Sequence, residues 1–393
     1  MTQSGLHQFL RSKTAPPGSD EVEVTIFGPG YGECILIHIG AGRWIVIDSC
    51  RRHGSKTPIA LEYLQTLNVN PAEAIQLVVV SHWHEDHTSG MGDLVAAIPK
   101  AKVALPNVLG GKEFRTYTRL VSSLSGQMDG KGVVEMNKVF AELRRRPADK
   151  VRIERPVRDQ RLLEFPATKT AQNCEGRVFA LSPAPDDERA FVDALIAKIG
   201  ELEAATTVGT LQKATINHEP NDVAVAVHVL VGSIAVLLGS DLEESGYPTR
   251  GWCSVHEIHS QFQKASVLKI AHHGSHTAHH EGVWTDMCEP EVLGVMTPYN
   301  RGWKLPKKSD ATRLLGKTQD LYITASPKQK KLPAHRDHGV ARLFEKVAGK
   351  PVPIEPGIGA VRLRRSAAAG SPAWAVETFG TASKVSEILN DLA

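Results

Sequence analysis

Apolar and polar positions along the chain mark short β-strands set between helices. Val22-Glu23-Val24-Thr25-Ile26-Phe27 alternates with the period of a half-buried strand. Two more strands, Cys34 to Ile39 and Trp44 to Asp48, are joined by the hairpin Gly40-Ala41-Gly42. The glycine-rich turn Gly28-Pro29-Gly30-Tyr31-Gly32 resembles a phosphate cradle, but no helix follows it, and turn geometry explains it more simply. Pro58 to Leu67 has helical spacing with proline near its start. Leu77-Val78-Val79-Val80 is an unbroken apolar run, as in a buried strand, and it opens directly into Ser81-His82-Trp83-His84-Glu85-Asp86-His87-Thr88-Ser89-Gly90. Met91 to Ile98 reads as a short helix with its N-terminus toward that loop.

From about Asn107 to Glu219 the spacing changes. Lys112 to Arg146 reads as mostly helical, interrupted at Gly126, Gly130 and Gly132, and Arg177 to Ser182 as a strand. Asp187 to Ala205 is an amphipathic helix with Phe191, Leu195 and Ile199 on one face. Asn221 to Val231 and Ile234 to Leu238, split by Gly232-Ser233, predict a hairpin ending at Gly239-Ser240-Asp241, with Leu242-Glu243-Glu244 starting a helix. Val267 to Ala271 is a strand that ends in His272-His273-Gly274-Ser275-His276, and His279 and His280 read as loop residues. Residues 1–19 read as a flexible N-terminal segment. Residues 366–393 begin Ser-Ala-Ala-Ala-Gly-Ser-Pro and read as a linker with a short helix over Ser383 to Leu392.

Four potential ligands within six residues, directly after an apolar strand, give the chain its chemistry. His82 and His84, two apart on extended backbone, project to one side, while Asp86 and His87 form a second group. Imidazole with carboxylate suits zinc, manganese or iron, and a hydrolytic site keeps one position open for water. A single loop histidine is ordinarily just solvated; this density of ligands is not explained that way.

Composition narrows the setting. Apolar content of 41% and charged content of 23% are those of a soluble globular protein. A net charge of +3 is too small to imply nucleic acid or membrane by itself. Five scattered cysteines without a C-x-x-C pair argue against a disulfide framework and a cysteine zinc knuckle, and fit a reducing cytoplasm. No apolar stretch reaches bilayer length, so no membrane partner is expected. Arg144 to Arg161 holds eight basic residues against three acids, and Arg144, Arg145 and Arg146 are candidates to grip a phosphate backbone. Such runs are more often solvated faces, and no stacking aromatics interleave here.

The segment Ser81 to Gly90 resembles the H-x-H-x-D-H signature of the metallo-β-lactamase-fold hydrolases. Leu268-Lys269 followed by His272-His273-Gly274-Ser275 resembles the L-K-x-x-H-H-G-S segment of the ComEC-like, DNA-uptake branch. So do the strand opening on Asn221, Val295 to Arg301, Leu321 to Thr324 and Gly359 to Leu363. The resemblance spans about residues 22–365, which sets a hydrolase domain over 20–365 with residues 107–219 as a largely helical basic insertion. It implies an α/β fold, a four-layer αββα sandwich, whose sheets bring the distant motifs together.

By the same resemblance, His82 and His84 hold one divalent metal ion and Asp86, His87 and His272 a second, with Asp241 and a hydroxide bridging. Two such cations about 3.5–4 Å apart acidify water and clamp the attacking and leaving oxygens. Zinc is the first expectation and manganese the alternative. His273 is the alternative to His272, and His218 or Asn221 could add a ligand to the first metal. Asp48 resembles the aspartate that buttresses the loop; the insertion of Ser240 departs from the family's Gly-Asp. Asp86, His273 and Lys269 are the candidate catalytic groups, and His276 and Tyr299 join the arginines as candidate substrate contacts. The leading expectation is a phosphodiesterase or nuclease with a nucleic acid or nucleotide as partner. An ester, thioester or lactam hydrolase and a lapsed, metal-stabilised binding module are the alternatives. Protein partners are not legible.

Overall fold

The computed structural model describes residues 15–124, 131–147, 152–204, 220–301, 304–325, 358–368 and 370–392. The first half of the chain supplies strands β1 (Glu21–Gly28), β2 (Cys34–Ile39), β3 (Trp44–Ile47), β4 (Ile75–Val79), β5 (Lys102–Ala104) and β6 (Ile153–Glu154). Then follow β7 (Gln160–Phe165), β8 (Gly176–Ala180), β9 (Val227–Val231), β10 (Ile234–Leu238), β11 (Ala265–Lys269) and β12 (Cys288–Met296). The last are β13 (Leu321–Ile323), β14 (Gly359–Ser366), β15 (Ala375–Phe379) and β16 (Ser383–Lys384). They build two eight-stranded sheets, in the orders β15-β14-β1-β2-β3-β4-β5-β6 and β16-β13-β12-β11-β10-β9-β8-β7.

The alternation of side chains decides the layering. Val22, Val24, Ile26, Ile35, Ile37, Ile45, Ile47, Leu77 and Val79 from one sheet meet Val178, Val227, Val229, Val236, Leu238, Val267 and Val295 from the other in a shared apolar layer. The opposite face of the first sheet is covered by the helix Ile59–Thr66 and its neighbours, and that of the second by the helices Gly251–His259 and Lys308–Leu315. The result is the expected helix–sheet–sheet–helix sandwich. β1 departs from the half-buried reading: its polar face is buried too, because Glu23 accepts hydrogen bonds from Tyr63 Oη (2.6 Å) and Arg364 Nε (2.7 Å).

The insertion is not a helical appendage. Its helices Lys112–Leu124, Lys131–Arg145 and Pro185–Ala204 are joined by β6, which extends the first sheet, and by β7 and β8, which extend the second. The segment after Ser366, expected as a linker with a terminal helix, instead adds β15 to the first sheet and β16 to the second. The expected terminal helix is present as Val385–Ile388 continued by a 3₁₀ turn over Leu389–Asp391, with Val385 packed in the core. Leu242-Glu243-Glu244 runs as irregular backbone and the helix starts at Gly251. The Glu243 side chain instead pairs with His272, and that of Glu244 accepts from Cys253 in the first turn of that helix. Most of the flexible segment expected over residues 1–19, and His218, lie outside the described residues.

Candidate metal centre

Three loops leave the ends of parallel strands on one edge of the sandwich and meet. β4 delivers Ser81 to Thr88, with Glu85–Thr88 a single helical turn that turns Asp86 and His87 inward. The hairpin β9–β10 ends in Gly239-Ser240-Asp241, and β11 runs into His272 and His273. Gly239 has no side chain because a Cβ there would lie 2.8 Å from that of Ala271 on the adjacent loop. The extra residue, Ser240, takes a left-handed conformation (φ 47°), and its carbonyl accepts from His272 N at 2.9 Å and Lys269 Nζ at 3.0 Å. Asp241 thereby still reaches the centre.

Two ligand groups result, sharing Asp241: Asp86, His87, Asp241 and His273, and His82, His84 and Asp241, each with ligating atoms within 4.8 Å of one another. Asp241 Oδ2 stands 3.2 Å from His87 Nε2 and 3.3 Å from His273 Nε2, and Asp86 Oδ2 is 3.4 Å from His273 Nε2. His82 Nε2 and His84 Nδ1 face each other at 3.0 Å. His273, not His272, occupies the ligand position. Both residues are left-handed (φ 45° and 53°), which breaks the strand alternation and swings the second ring inward. His272 turns aside to Glu243 Oε1 at 2.9 Å, and Asn221 Nδ2 donates to the same oxygen at 2.9 Å. Asn221 thus stands beside His272, its Nδ2 3.5 Å from His272 Nε2, while its Oδ1 is buried without a hydrogen-bond partner among the described residues.

Outer partners fix which nitrogen of each ring points inward. Asp48, left-handed at φ 59°, accepts from Ser81 N (2.8 Å), Ser81 Oγ (2.6 Å) and His87 Nδ1 (2.7 Å). Because Ser81 Oγ donates to Asp48, it can only accept from His82 Nδ1, at 3.0 Å. His273 Nδ1 donates to the Thr297 carbonyl at 3.1 Å. His82, His87 and His273 are thus all held with Nε2 toward the centre. Asp48, expected as the buttress of the loop, touches both Ser81 and His87 from behind.

The electrostatics call for cations. Glu33, Asp48, Asp86 and Asp241 are all at most 4% exposed, and the permanent positive charge among them is Lys269, fully buried. Its Nζ lies 2.7 Å from Glu33 Oε2 and 3.9 Å from Asp241 Oδ1. Burial opposes charge on His87, yet Asp241, Glu33, Asp86 and Asp48 outweigh it and hold its proton affinity well above that of free imidazole. Burial likewise pushes Asp241 up, but His273 and His87 hold it well below the usual carboxylate range. His82 is driven well down by burial and then by His87 and His84, so it stays a neutral ligand. Asp241 Oδ1, His87 Nε2 and His273 Nε2 are buried without hydrogen-bond partners among the described residues. Inward lone pairs, excess buried negative charge and nitrogen–oxygen donors fit divalent ions of the zinc or manganese class.

Other expected residues fall elsewhere. Lys269, expected as a catalytic group, is a charge partner held between Glu33 and the Ser240 carbonyl. Arg146 donates to the carbonyls of Val95 (2.9 Å), Ile98 (3.0 Å) and Ala101 (3.0 Å), closing the end of the helix Met91–Ala97, and is not offered to substrate. Arg145 is paired with Glu142, and Arg144 is exposed on the inserted helix. His276 is exposed on a short 3₁₀ turn, and Tyr299 packs against the His273 ring with centroids 5.4 Å apart. Glu33, Ser81 and Thr297 were not legible as site residues. The signal available is a lysine inside the apolar strand β11, which demands a buried carboxylate somewhere in the fold.

The metallo-beta-lactamase superfamily profile matches residues 27–283, and the chain belongs to that superfamily. Among solved structures, the chain is similar to the metallo-beta-lactamase fold protein YhfI from Bacillus subtilis, at 15% identity, covering 63% of this chain and 70% of that one with a TM-score of 0.32. It is also similar to a HARLDQ-motif mutant metallo-beta-lactamase from Cronobacter sakazakii (17% identity, 62% and 75% covered, TM-score 0.31). A third is Zn(2+)-bound PqqB from Methylobacterium extorquens (10% identity, 63% and 71% covered, TM-score 0.29). No curated protein sequence matches the chain.

Proposed function

We propose that the protein is a two-metal hydrolase of phosphodiester bonds in DNA, RNA or a nucleotide, of the ComEC-like kind. The observation that carries the hydrolase reading is the convergence on Asp241 of five potential ligands from two distant segments, with Asp241 Oδ1, His87 Nε2 and His273 Nε2 buried and unpartnered among the described residues. His82, His84 and Asp241 would hold one ion, and Asp86, His87, His273 and Asp241 the other. A divalent pair there supplies acidified water and offsets charge on phosphoryl oxygens.

The chain's own residues supply the rest. Asp48, Ser81 and the Thr297 carbonyl keep the ligand rings in register, and Lys269 with Glu33 balances and positions Asp241. Support for a phosphodiester comes from the Leu268-Lys269 to Ser275 motif and from the rim beside His273. There the half-exposed guanidinium of Arg301, ion-paired with Glu85 at 2.8 Å, lies 4.0 Å over the Tyr31 ring, whose centroid is 5.5 Å from that of Tyr299. A cation and two aromatic faces suit a phosphate flanked by a base. Tyr299, whose ring packs 5.4 Å from that of His273, is the proposed proton donor to the leaving oxygen.

The test uses purified protein with zinc or manganese against bis(p-nitrophenyl) phosphate, plasmid DNA, an RNA oligonucleotide and a chromogenic cephalosporin. Phosphodiester cleavage that vanishes in Asp86→Ala is expected. Cleavage of the lactam alone, or nucleic-acid binding without cleavage, would overturn the reading.

A further inference from the structure

Glu244, Cys253 and His280 come from three separate elements and meet outside the centre described above. Glu244 lies three residues beyond Asp241 on the irregular loop, Cys253 in the first turn of the helix Gly251–His259, and His280 caps the helix Glu281–Asp286. One oxygen, one sulfur and one nitrogen from the three all lie within 4.8 Å of one another. Cys253 Sγ is 3.0 Å from Glu244 Oε1, and His280 Nε2 is 3.8 Å from Glu244 Oε2. In a tetrahedral zinc site, bonds of about 2.3 Å to sulfur and 2.0–2.1 Å to nitrogen or oxygen put neighbouring ligand atoms roughly 3.3–3.7 Å apart. The Glu244 carboxylate thus has one oxygen 3.0 Å from the sulfur and the other 3.8 Å from the imidazole nitrogen, close to that range.

The set is held from behind. Glu244 N donates to the Thr277 carbonyl (2.8 Å), Gly246 N to Glu244 Oε1 (2.9 Å), and Trp252 N to the Glu243 carbonyl (3.2 Å). Glu244 Oε2 and His280 Nδ1 are buried yet have no hydrogen-bond partner among the described residues. The His256 ring lies 5.0 Å from that of His280, but its Nε2 is taken by Asp286 at 2.6 Å, so it flanks the set rather than joining it. All three ligand residues are partly exposed, which leaves a route in from solvent and room for a water as fourth ligand.

We propose that Glu244, Cys253 and His280 form a separate, single-ion site for zinc or a similar thiophilic divalent cation. Thiolate, imidazole and carboxylate together select zinc or cobalt over magnesium and calcium. An ion there ties the loop behind Asp241 to the loop that starts at His273, and so braces two ligand segments of the main centre from outside. The proposal does not rest on the phosphodiester reading.

Among the described residues the main centre has no sulfur ligand, so cobalt(II) distinguishes the two sites. Full-length, chelator-treated protein is titrated with cobalt(II), following the thiolate-to-cobalt charge-transfer band in the near ultraviolet. The band is expected in the native protein and lost in Cys253→Ser, while visible bands from cobalt at the histidine–aspartate centre persist. His280→Gln, which keeps the thiol, is expected to move the titration midpoint of the charge-transfer band at least about tenfold. Absence of the band in the native protein at saturating cobalt would overturn the proposal without any variant. An equal band in Cys253→Ser would do the same by placing the sulfur elsewhere.

Discussion

At the scale of single residues, the centre is an exercise in fixing imidazole tautomers. His87 offers Nε2 inward because Asp48 takes the proton on Nδ1, and the same carboxylate, through Ser81, orients His82. Asp48→Ala removes both restraints at once. It is expected to weaken divalent-metal binding about 10–100-fold in a competitive chelator titration; an unchanged affinity would contradict the role. The exchange between the paired histidines gives a second prediction. His273→Ala is expected to lose one bound ion by elemental analysis and His272→Ala neither, since His272 is turned to Glu243. Tyr299→Phe should slow cleavage of a diester with a poor leaving group about 100-fold while sparing a p-nitrophenolate leaving group, which needs no proton. Equal loss on both substrates would leave Tyr299 a packing residue. The ligand motifs were legible here because metal-binding residue types crowd a few positions. Which of His272 and His273 faces in was not legible, because it depends on two left-handed backbones that sequence spacing does not encode.

Among elements, the insertion is best understood as a clamp on the metal loop. Trp83, between the ligands His82 and His84, is 5% exposed and packs edge-on against Phe114 (4.9 Å) and Phe191 (5.1 Å) of two inserted helices. Gly132, near the start of the third, lies so close to the loop that a Cβ would overlap the Trp83 carbonyl oxygen. Trp83→Ala should cost about 3–5 kcal/mol of stability in urea unfolding. Gly132→Ala is expected to lower metal affinity as well as stability, because backbone, not a flexible side chain, must give way; wild-type values for both would refute the clamp. The apolar periodicity of these helices was readable, as were the runs that became β1 to β4 and β8 to β11. The basic stretch was readable as charge but not as function. Arg146 is used up by carbonyls at a helix end, a partner no local pattern reveals.

For the molecule as a whole, closure depends on strands that lie far apart in the chain. β1 pairs with β14 in full register, Glu21 opposite Ser366 and Gly28 opposite Gly359, so the first sheet is completed only when residues near the C-terminus return. β14 falls on Gly359 to Leu363, which the resemblance points to, whereas β15 and β16 beyond it are hidden by the linker-like composition of Ser366 to Pro372, because edge strands carry little apolar signal. Folding also buries His38 neutral in β2: Nδ1 donates to the Glu21 carbonyl at 2.7 Å and Nε2 accepts from Gly42 N at 3.1 Å. Burial lowers its pKa from 6.5 to about 4, against the pull of the Glu21 carbonyl. Above pH 6.5 neither folded nor unfolded chain protonates the ring. Between 6.5 and about 4 only the unfolded chain does, so stability falls as pH drops through that window and the loss levels off below it. The loss amounts to at most about 3 kcal/mol. His38→Gln should flatten that part of the stability–pH curve relative to the native protein, measured by denaturant unfolding; a parallel curve would contradict it.

The claim on which everything else rests is that β4, β10 and β11 deliver their loops to one pair of ions. Anomalous diffraction from a zinc- or manganese-loaded crystal tests it most directly. Two peaks are expected on either side of Asp241, one against His82 and His84 and the other against Asp86, His87 and His273. A crystal saturated with metal that shows no ion touching Asp241, or ions bound by only one of the three loops, would contradict the account.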